Sequence, residues 1–192
     1  MKSPAQAGAA GPGGEPWLIG QVAAGNRCAF ETLYRLYFPR LARFLWRMTP
    51  NTQLIEEIVN DTMLVVWQKA GSFDGSCKLS TWIFAIAYRR ACNALRGLDE
   101  PQADCPDACH GSPDAQPERL FEIACLGQAL ALALQALPLA QRAVFELSFY
   151  HDMGYAEIAQ IVECPVNTVK TRLFHARHRL AILLAAQMEE RT

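Results

Sequence analysis

Asn167, Thr168, Lys170, Thr171, Arg172, His175, Arg177, His178 and Arg179 crowd one short stretch of the chain. Side chains of these kinds read nucleic acid. Lys and Arg suit guanine acceptors and phosphates, Asn can pair with adenine, and Thr can meet a base edge or the thymine methyl. Between them Val166, Val169, Leu173, Ala176, Leu180 and Leu183 recur at helical spacing, so the polar set rides on one helix whose other side is apolar. Upstream, GYAEIAQIV predicts a shorter helix, roughly Tyr155 to Val162, with Ile158, Ala159 and Val162 inward. Pro165 then opens the next element, since proline is tolerated at a helix start. Two helices across so short a break predict a helix-turn-helix, whose second helix enters the major groove. A solvated basic face on an ordinary helical hairpin is the plainer alternative; base reading is the expectation carried forward.

Metal and catalytic chemistry find less support. Cys105, Cys109 and His110 form C-x3-C-H, within the loose range of zinc ligands. A structural zinc site needs a fourth ligand and a folded frame, so reduced, unliganded thiols and no metal are expected. A redox switch through Cys105 and Cys109 has no further support. His175 and His178, three apart on the basic helix, suit DNA or solvent better than a metal. No Ser-His-Asp pattern, phosphate loop or H-E-x-x-H occurs, and all four histidines lie in the linker or beyond it. The expectation is no enzyme, no cofactor and no small-molecule substrate.

The elements that must position these residues follow from composition and period. The chain of 192 residues is 51% hydrophobic with a net charge of −1, so it can bury a core but has no global field toward nucleic acid. Seven cysteines, an odd number, and a start lacking an apolar run predict reduced thiols and a cytoplasmic protein. The longest apolar run, Ile123 to Ala140, is broken by Gln128, Gln135 and Pro138, and reads as a buried helix rather than a membrane span. Residues 1–16, almost all Ala, Gly, Pro and Ser, predict a disordered leader. Residues 97–118 hold Asp99, Glu100, Asp104, Asp107, Asp114 and Glu118, no Lys or Arg and four prolines, and predict a flexible acidic linker. No alternation of strand length appears. The expected fold is all-α, with small helical domains over 17–96 and 119–192.

In the first block Phe30, Leu33, Tyr37, Leu41, Phe44, Leu45 and Met48 mark an apolar helical stripe, with Pro39 inside it as a place for a kink. From Thr52 to Lys69, Ile55, Ile58, Val59, Thr62, Val66 and Lys69 mark one side. Glu56, Glu57, Asn60 and Asp61 lie on a more polar one. GSFDGSCKLS, Gly71 to Ser80, predicts a loop. In the helix after it Ile83, Ile86, Ala87, Ala91 and Ala94 face a core, while Arg89, Asn93 and Arg96 share another face. Apolar helices over Leu120–Leu137 and Leu139–Tyr150 lead into the helix-turn-helix.

LPLAQRAVFELSFYHDMGYAEIAQIVECPVNTVKTRLFHARHRL resembles the promoter-binding C-terminal region of bacterial RNA polymerase sigma factors of the extracytoplasmic-function (ECF) group. IEEIVNDTMLVVW resembles that group's polymerase-binding helix. FDGSCKLSTWIFAIAYRRACNALR resembles its −10-element loop and the helix after it. The likeness runs in order from about Ala29 to Leu184. It implies that the first domain binds core RNA polymerase and captures the unwound −10 strand, and that the second reads the −35 element of promoter DNA as duplex. It implies polymerase binding by Glu57, Asn60 and Asp61, with Trp67 a packing residue of that helix. It implies −10 binding by Asp74, Ser76, Lys78, Ser80, Arg89, Arg90, Asn93 and Arg96. For the −35 element it implies Asn167, Thr168, Lys170, Thr171, Arg172, His175 and Arg179. It also implies control by an anti-sigma factor, a kind of partner that is often membrane-bound.

This chain departs from the group's pattern in four places. Asn60 stands for Gln, Val65 for a basic residue, and Glu163 and Asn167 each for Gly. A left-handed backbone at Glu163 would cost a non-glycine residue about 1 kcal/mol. The competing function is a stand-alone, dimeric helix-turn-helix regulator, which needs a dimer interface but no −10-type loop.

Overall fold

The computed structural model describes residues 14–96 and 130–189. The leader up to residue 13, the acidic linker with Cys105, Cys109 and His110, and most of the Leu120–Leu137 helix lie outside the described residues.

Local signals set the elements. Helix α1, Glu15–Ala23, starts inside the stretch expected to be leader, with Pro16 in its first turn, where a missing N–H costs nothing. Gly25, at φ +83°, turns the chain into α2, Arg27–Met48. There Asn26 caps the helix by accepting from the amides of Cys28 and Ala29 at 3.0 and 3.2 Å. Helix α2 runs unbroken through Pro39. Asn51 caps α3, Thr52–Lys69, in the same way, accepting from Leu54 N at 3.1 Å. After a 3₁₀ turn, Ala70–Ser72, and a loop comes α4, Leu79–Arg96. Residues 130–135 are helical, and α5, α6 and α7 cover Leu139–Phe149, Tyr155–Ile161 and Val166–Glu189. The architecture is all-α, with no strand among the described residues.

The buried faces follow the 3.6-residue period with a few shifts. On α2 Leu33, Tyr37, Leu41, Phe44, Leu45 and Met48 are buried, but Ala29 takes the place expected for Phe30, which lies at the rim against Trp67. On α3 Met63 joins the core and Lys69 does not: in the last turn its ammonium stays in water. On α4 Ile83, Ala87 and Ala91 are buried together with Leu79, Phe84 and Ala85, while Ile86 and Ala94 pack at the edge. On α7 Val169, Leu173, Ala176 and Leu180 are buried, but Val166, in the first turn, is exposed.

One apolar cluster runs through α1–α4 and on into α5, α6 and the start of α7. Helix α5 packs on α2, and α6 packs on α4. Each large aliphatic or aromatic side chain so buried contributes about 1.5–3 kcal/mol. A smaller cluster, Ala133, Leu134, Leu137, Ala176 and Leu180, lies beneath α7. No described helix is long and apolar enough to cross a membrane.

Candidate nucleic-acid interface

The loop before α4 is built by short-range polar contacts. Asp74 Oδ1 accepts from the Ser76 amide at 2.9 Å, and this bond holds the Asp74 carboxyl below the usual carboxylate range. Gly75 sits at φ +73°, a turn conformation that suits glycine. Phe73 packs on Trp82, ring centroids 5.3 Å apart, and ties the loop to α4. Asp74, Ser76 and Lys78 are exposed, and Ser80 is half-buried in the first turn of α4. Arg89, Arg90, Asn93 and Arg96 are all exposed along α4. The structure therefore brings the loop and the basic face together on one helix. Two of the cations are engaged across the molecule: Lys78 Nζ lies 2.9 Å from Glu157 Oε1, and Arg89 Nε lies 2.6 Å from Glu163 Oε1.

The neighbouring face belongs to α3. Glu57 and Asn60 are exposed, and Asp61 is half-buried with Arg90 Nη1 3.2 Å from its carboxylate. Tyr34 Oη donates to Asn60 Oδ1 at 2.8 Å. Beside them Phe30, Tyr34, Met63, Leu64 and Trp67 line an open apolar groove of about 500 Å³. Trp67 packs at the edge of the core, its ring 5.1 Å from that of Phe30 in an edge-on contact. The helical period places Phe30 on the core stripe, so the groove is not legible in the sequence's period. Leu64, 52% exposed on the polar side of α3, was the available signal.

The helix-turn-helix forms as its spacing predicts. Glu157 Oε2 accepts from the Gly154 amide at 2.9 Å and caps α6; its carboxyl is held down first by Lys78 and then by this amide. The corner carries Glu163 at φ +51°, the left-handed region, and Cys164 N closes it on Ala159 O at 3.1 Å. Glycine would relieve this backbone of about 1 kcal/mol. Pro165 O accepts from Thr168 N and Val169 N, which starts α7. Asn167, Lys170, Thr171, His175 and Arg179 are exposed along α7, and Thr168 is half-buried. Arg172 departs from this row. It is half-buried, donates to Cys164 Sγ at 3.7 Å, and lies close enough to Tyr88 of α4 to act on its hydroxyl. Phe174, 67% exposed beside His175 and His178, was not singled out from the sequence; an aromatic off the apolar stripe was its signal.

A polar seam joins α5 to α2. Arg142 donates to the carbonyls of Arg47 and Met48, each at 3.2 Å, and to those of Gln135 and Leu137. It thereby satisfies the open carbonyls at the end of α2. Glu146 is fully buried, with Arg47 Nε 3.8 Å away, and burial pushes its carboxyl up to about 7. His151 lies against the rings of Phe84 and Phe44, centroids 4.8 and 6.0 Å away. Burial, reinforced by Arg40 and Arg43, pushes it down to about 4. Among the described residues no cluster of His, Cys, Asp and Glu could hold a metal ion.

Comparison with known proteins fits this geometry. Residues 33–100 match the family model Sigma-70 region 2, and residues 127–180 match Sigma-70, region 4. The ECF RNA polymerase sigma factor RpoE of Cereibacter sphaeroides is 34% identical over 158 residues, 81% of this chain and 86% of that protein. The RNA polymerase sigma-H factor of Pseudomonas aeruginosa is 26% identical over 90% of this chain and 95% of its own. Among solved structures, the Bartonella quintana sigma factor RpoE, in complex with the anti-sigma factor NepR, superposes with a TM-score of 0.66. It is 25% identical, over 81% of this chain and 96% of that one. The chain belongs to the ECF family of RNA polymerase sigma factors.

Proposed function

We propose that this chain binds core RNA polymerase and directs it to promoters by recognising their −10 and −35 elements. Residues 17–96 form the unit for polymerase and the −10 strand, and residues 119–192 the unit for the −35 duplex. Glu57, Asn60 and Asp61, with the apolar groove beside them, form the polymerase-binding face. The loop with Asp74, Ser76, Lys78 and Ser80 holds unstacked bases, and Arg89, Arg90, Asn93 and Arg96 track the strand's phosphates. Asn167, Thr168, Lys170, Thr171, His175 and Arg179 enter the −35 major groove, with Arg172 joining them once it leaves Cys164. The chain contributes recognition, and the polymerase performs the chemistry. It acts in the cytoplasm and is restrained by an anti-sigma factor, as the Bartonella relative is bound by NepR.

The observation that carries this reading is the order of two units in one chain: a loop leading into a basic helix, then a helix-turn-helix, each matched by its own family model. Core polymerase reconstituted with the full chain is expected to select promoters from a fragmented genomic library and give discrete run-off transcripts. Transcription no different from core polymerase alone would sink the proposal.

A further inference from the structure

The turn between α5 and α6 faces α2 across a cavity of about 370 Å³. Pro39, Arg40 and Arg43 line it from α2, and Tyr150, His151 and Asp152 line it from the turn. Its volume falls near the lower end of the roughly 300–1,000 Å³ usual for small-molecule sites. None of these residues belongs to the polymerase, −10 or −35 sets, so promoter recognition leaves the cavity without a role.

The lining is rich in donors that lack strong partners. Arg40 and Arg43 are three apart and share one face of α2. Arg43 is exposed and makes no hydrogen bond, ion pair or ring contact among the described residues. Arg40 is only loosely engaged. Its Nη1 lies 3.5 Å from Glu15 Oε1, and its guanidinium sits 4.9 Å from the centre of the Tyr37 ring. Across the cavity, edge-on contacts with Phe44 and Phe84 fix the ring of His151. Its Nε2 is buried with no hydrogen-bond partner, and a polar atom so placed costs free energy until a partner meets it. Burial and then Arg40 and Arg43 push His151 down to about 4, so the ring is neutral at pH 7, and the charges acting on it are both positive. Asp152 is the one acid of the lining, and it is exposed, so water screens its charge.

We propose that this cavity binds a phosphate-type dianion: Arg40 and Arg43 take its oxygens through their guanidinium forks, His151 adds a ring donor, and Pro39 and the Tyr150 ring bound the rest of the ligand. Guanidinium forks match carboxylate and phosphate alike. Two forks and a ring donor are more than the two oxygens of a carboxylate can use, which favours phosphate. Free phosphate and a small phosphomonoester share this chemistry. Because α2 and the α5–α6 turn both line the cavity, a bound dianion ties these two elements together.

The full-length protein, labelled with ¹⁵N at histidine, provides the test. Inorganic phosphate and glycerol 3-phosphate are titrated in separate arms, with chloride at matched ionic strength as the control. The His151 ring signal should shift saturably with the phosphate ligands and not with chloride. Tighter binding of glycerol 3-phosphate assigns the ester; equal or tighter binding of inorganic phosphate assigns the free ion. R43Q removes an exposed side chain without partners, so the fold is kept, and it should weaken binding about tenfold or more. R43K keeps the charge without the fork and should recover only part of that loss. The unfolding midpoint of the parent should rise with phosphate, and that of R43Q much less. No saturable shift, the same shift with chloride, or unchanged affinity in R43Q would overturn the proposal. Full recovery in R43K would show general charge attraction in place of a built site, and would overturn it too. Anion binding and run-off transcription succeed or fail separately, so this site stands or falls apart from the promoter reading.

Discussion

Glu146 and His151 sit on the same seam with opposite titration behaviour. Glu146 is lifted from 4.5 to about 7 by burial, which outweighs the opposing pull of Arg47 and Arg142, so the folded state holds its proton more tightly. Its contribution is fully present below about 4.5 and is lost as pH rises through about 7. His151 is pushed from 6.5 to about 4 by burial and by Arg40 and Arg43, so the unfolded state takes its proton first. Its contribution is present above about 6.5 and is lost as pH falls toward 4. Each slope is roughly 1.4 kcal/mol per pH unit, and between about pH 4.5 and 6.5 the two oppose and nearly cancel. Glu146→Gln removes one of them. The variant should lose up to about 3 kcal/mol on acidification across that window, while the parent stays nearly flat, and it should exceed the parent at pH 8. Urea unfolding midpoints across this range check this; identical pH profiles would refute it. The sequence offered only a weak hint of this pair. Glu146 is a lone acid in an apolar helix, and its burial depends on α2, whose carbonyls meet Arg142 across a separation of 95 and 94 residues. Arg172 misled for the same reason. Its place off the apolar stripe was legible, but the sulfur and tyrosine that draw it inward lie off its own helix.

At the scale of elements, period and capping made most helices legible, because both are local. Asn26 and Asn51 cap their helices through local contacts, and the buried stripes of α2 and α7 differ from expectation near their first turns and at Leu183, which is half-buried. The corner between α6 and α7 was legible too, because a left-handed residue is a property of the motif and Glu163 occupies its place. What the corner does with the acid was not, since Arg89 comes from another element. Two substitutions separate backbone from side chain. Glu163→Ala loses the ion pair and keeps the left-handed strain, whereas Glu163→Gly loses the pair and relieves the strain. The glycine variant should therefore be more stable than the alanine variant by about 1 kcal/mol. Each loses no more than ~1 kcal/mol from the exposed pair itself. Denaturant unfolding of the two side by side measures the difference, and equal midpoints would show that the corner carries no strain.

At the scale of the molecule, a pair of separately cored units would respond separately to damage. Phe84 provides the test, because it is fully buried in α4 while touching Phe44 of α2 and His151 of the other half. Phe84→Ala should cost about 3–5 kcal/mol. Because the apolar cluster passes without a break from α4 into α5 and α6, amide hydrogen exchange should quicken in α5 and α6 as well as in α4. If α5–α7 keep their protection while α1–α4 lose theirs, the seam does not couple the halves. The expected outcome bears on what holds the two halves together. Burial around Phe44, Phe84 and His151 holds the halves together more than the ion pairs do, since Arg89–Glu163 is exposed on both sides and Lys78–Glu157 on its lysine side. The apolar seam, more than these ion pairs, then sets the free energy that holds the halves together.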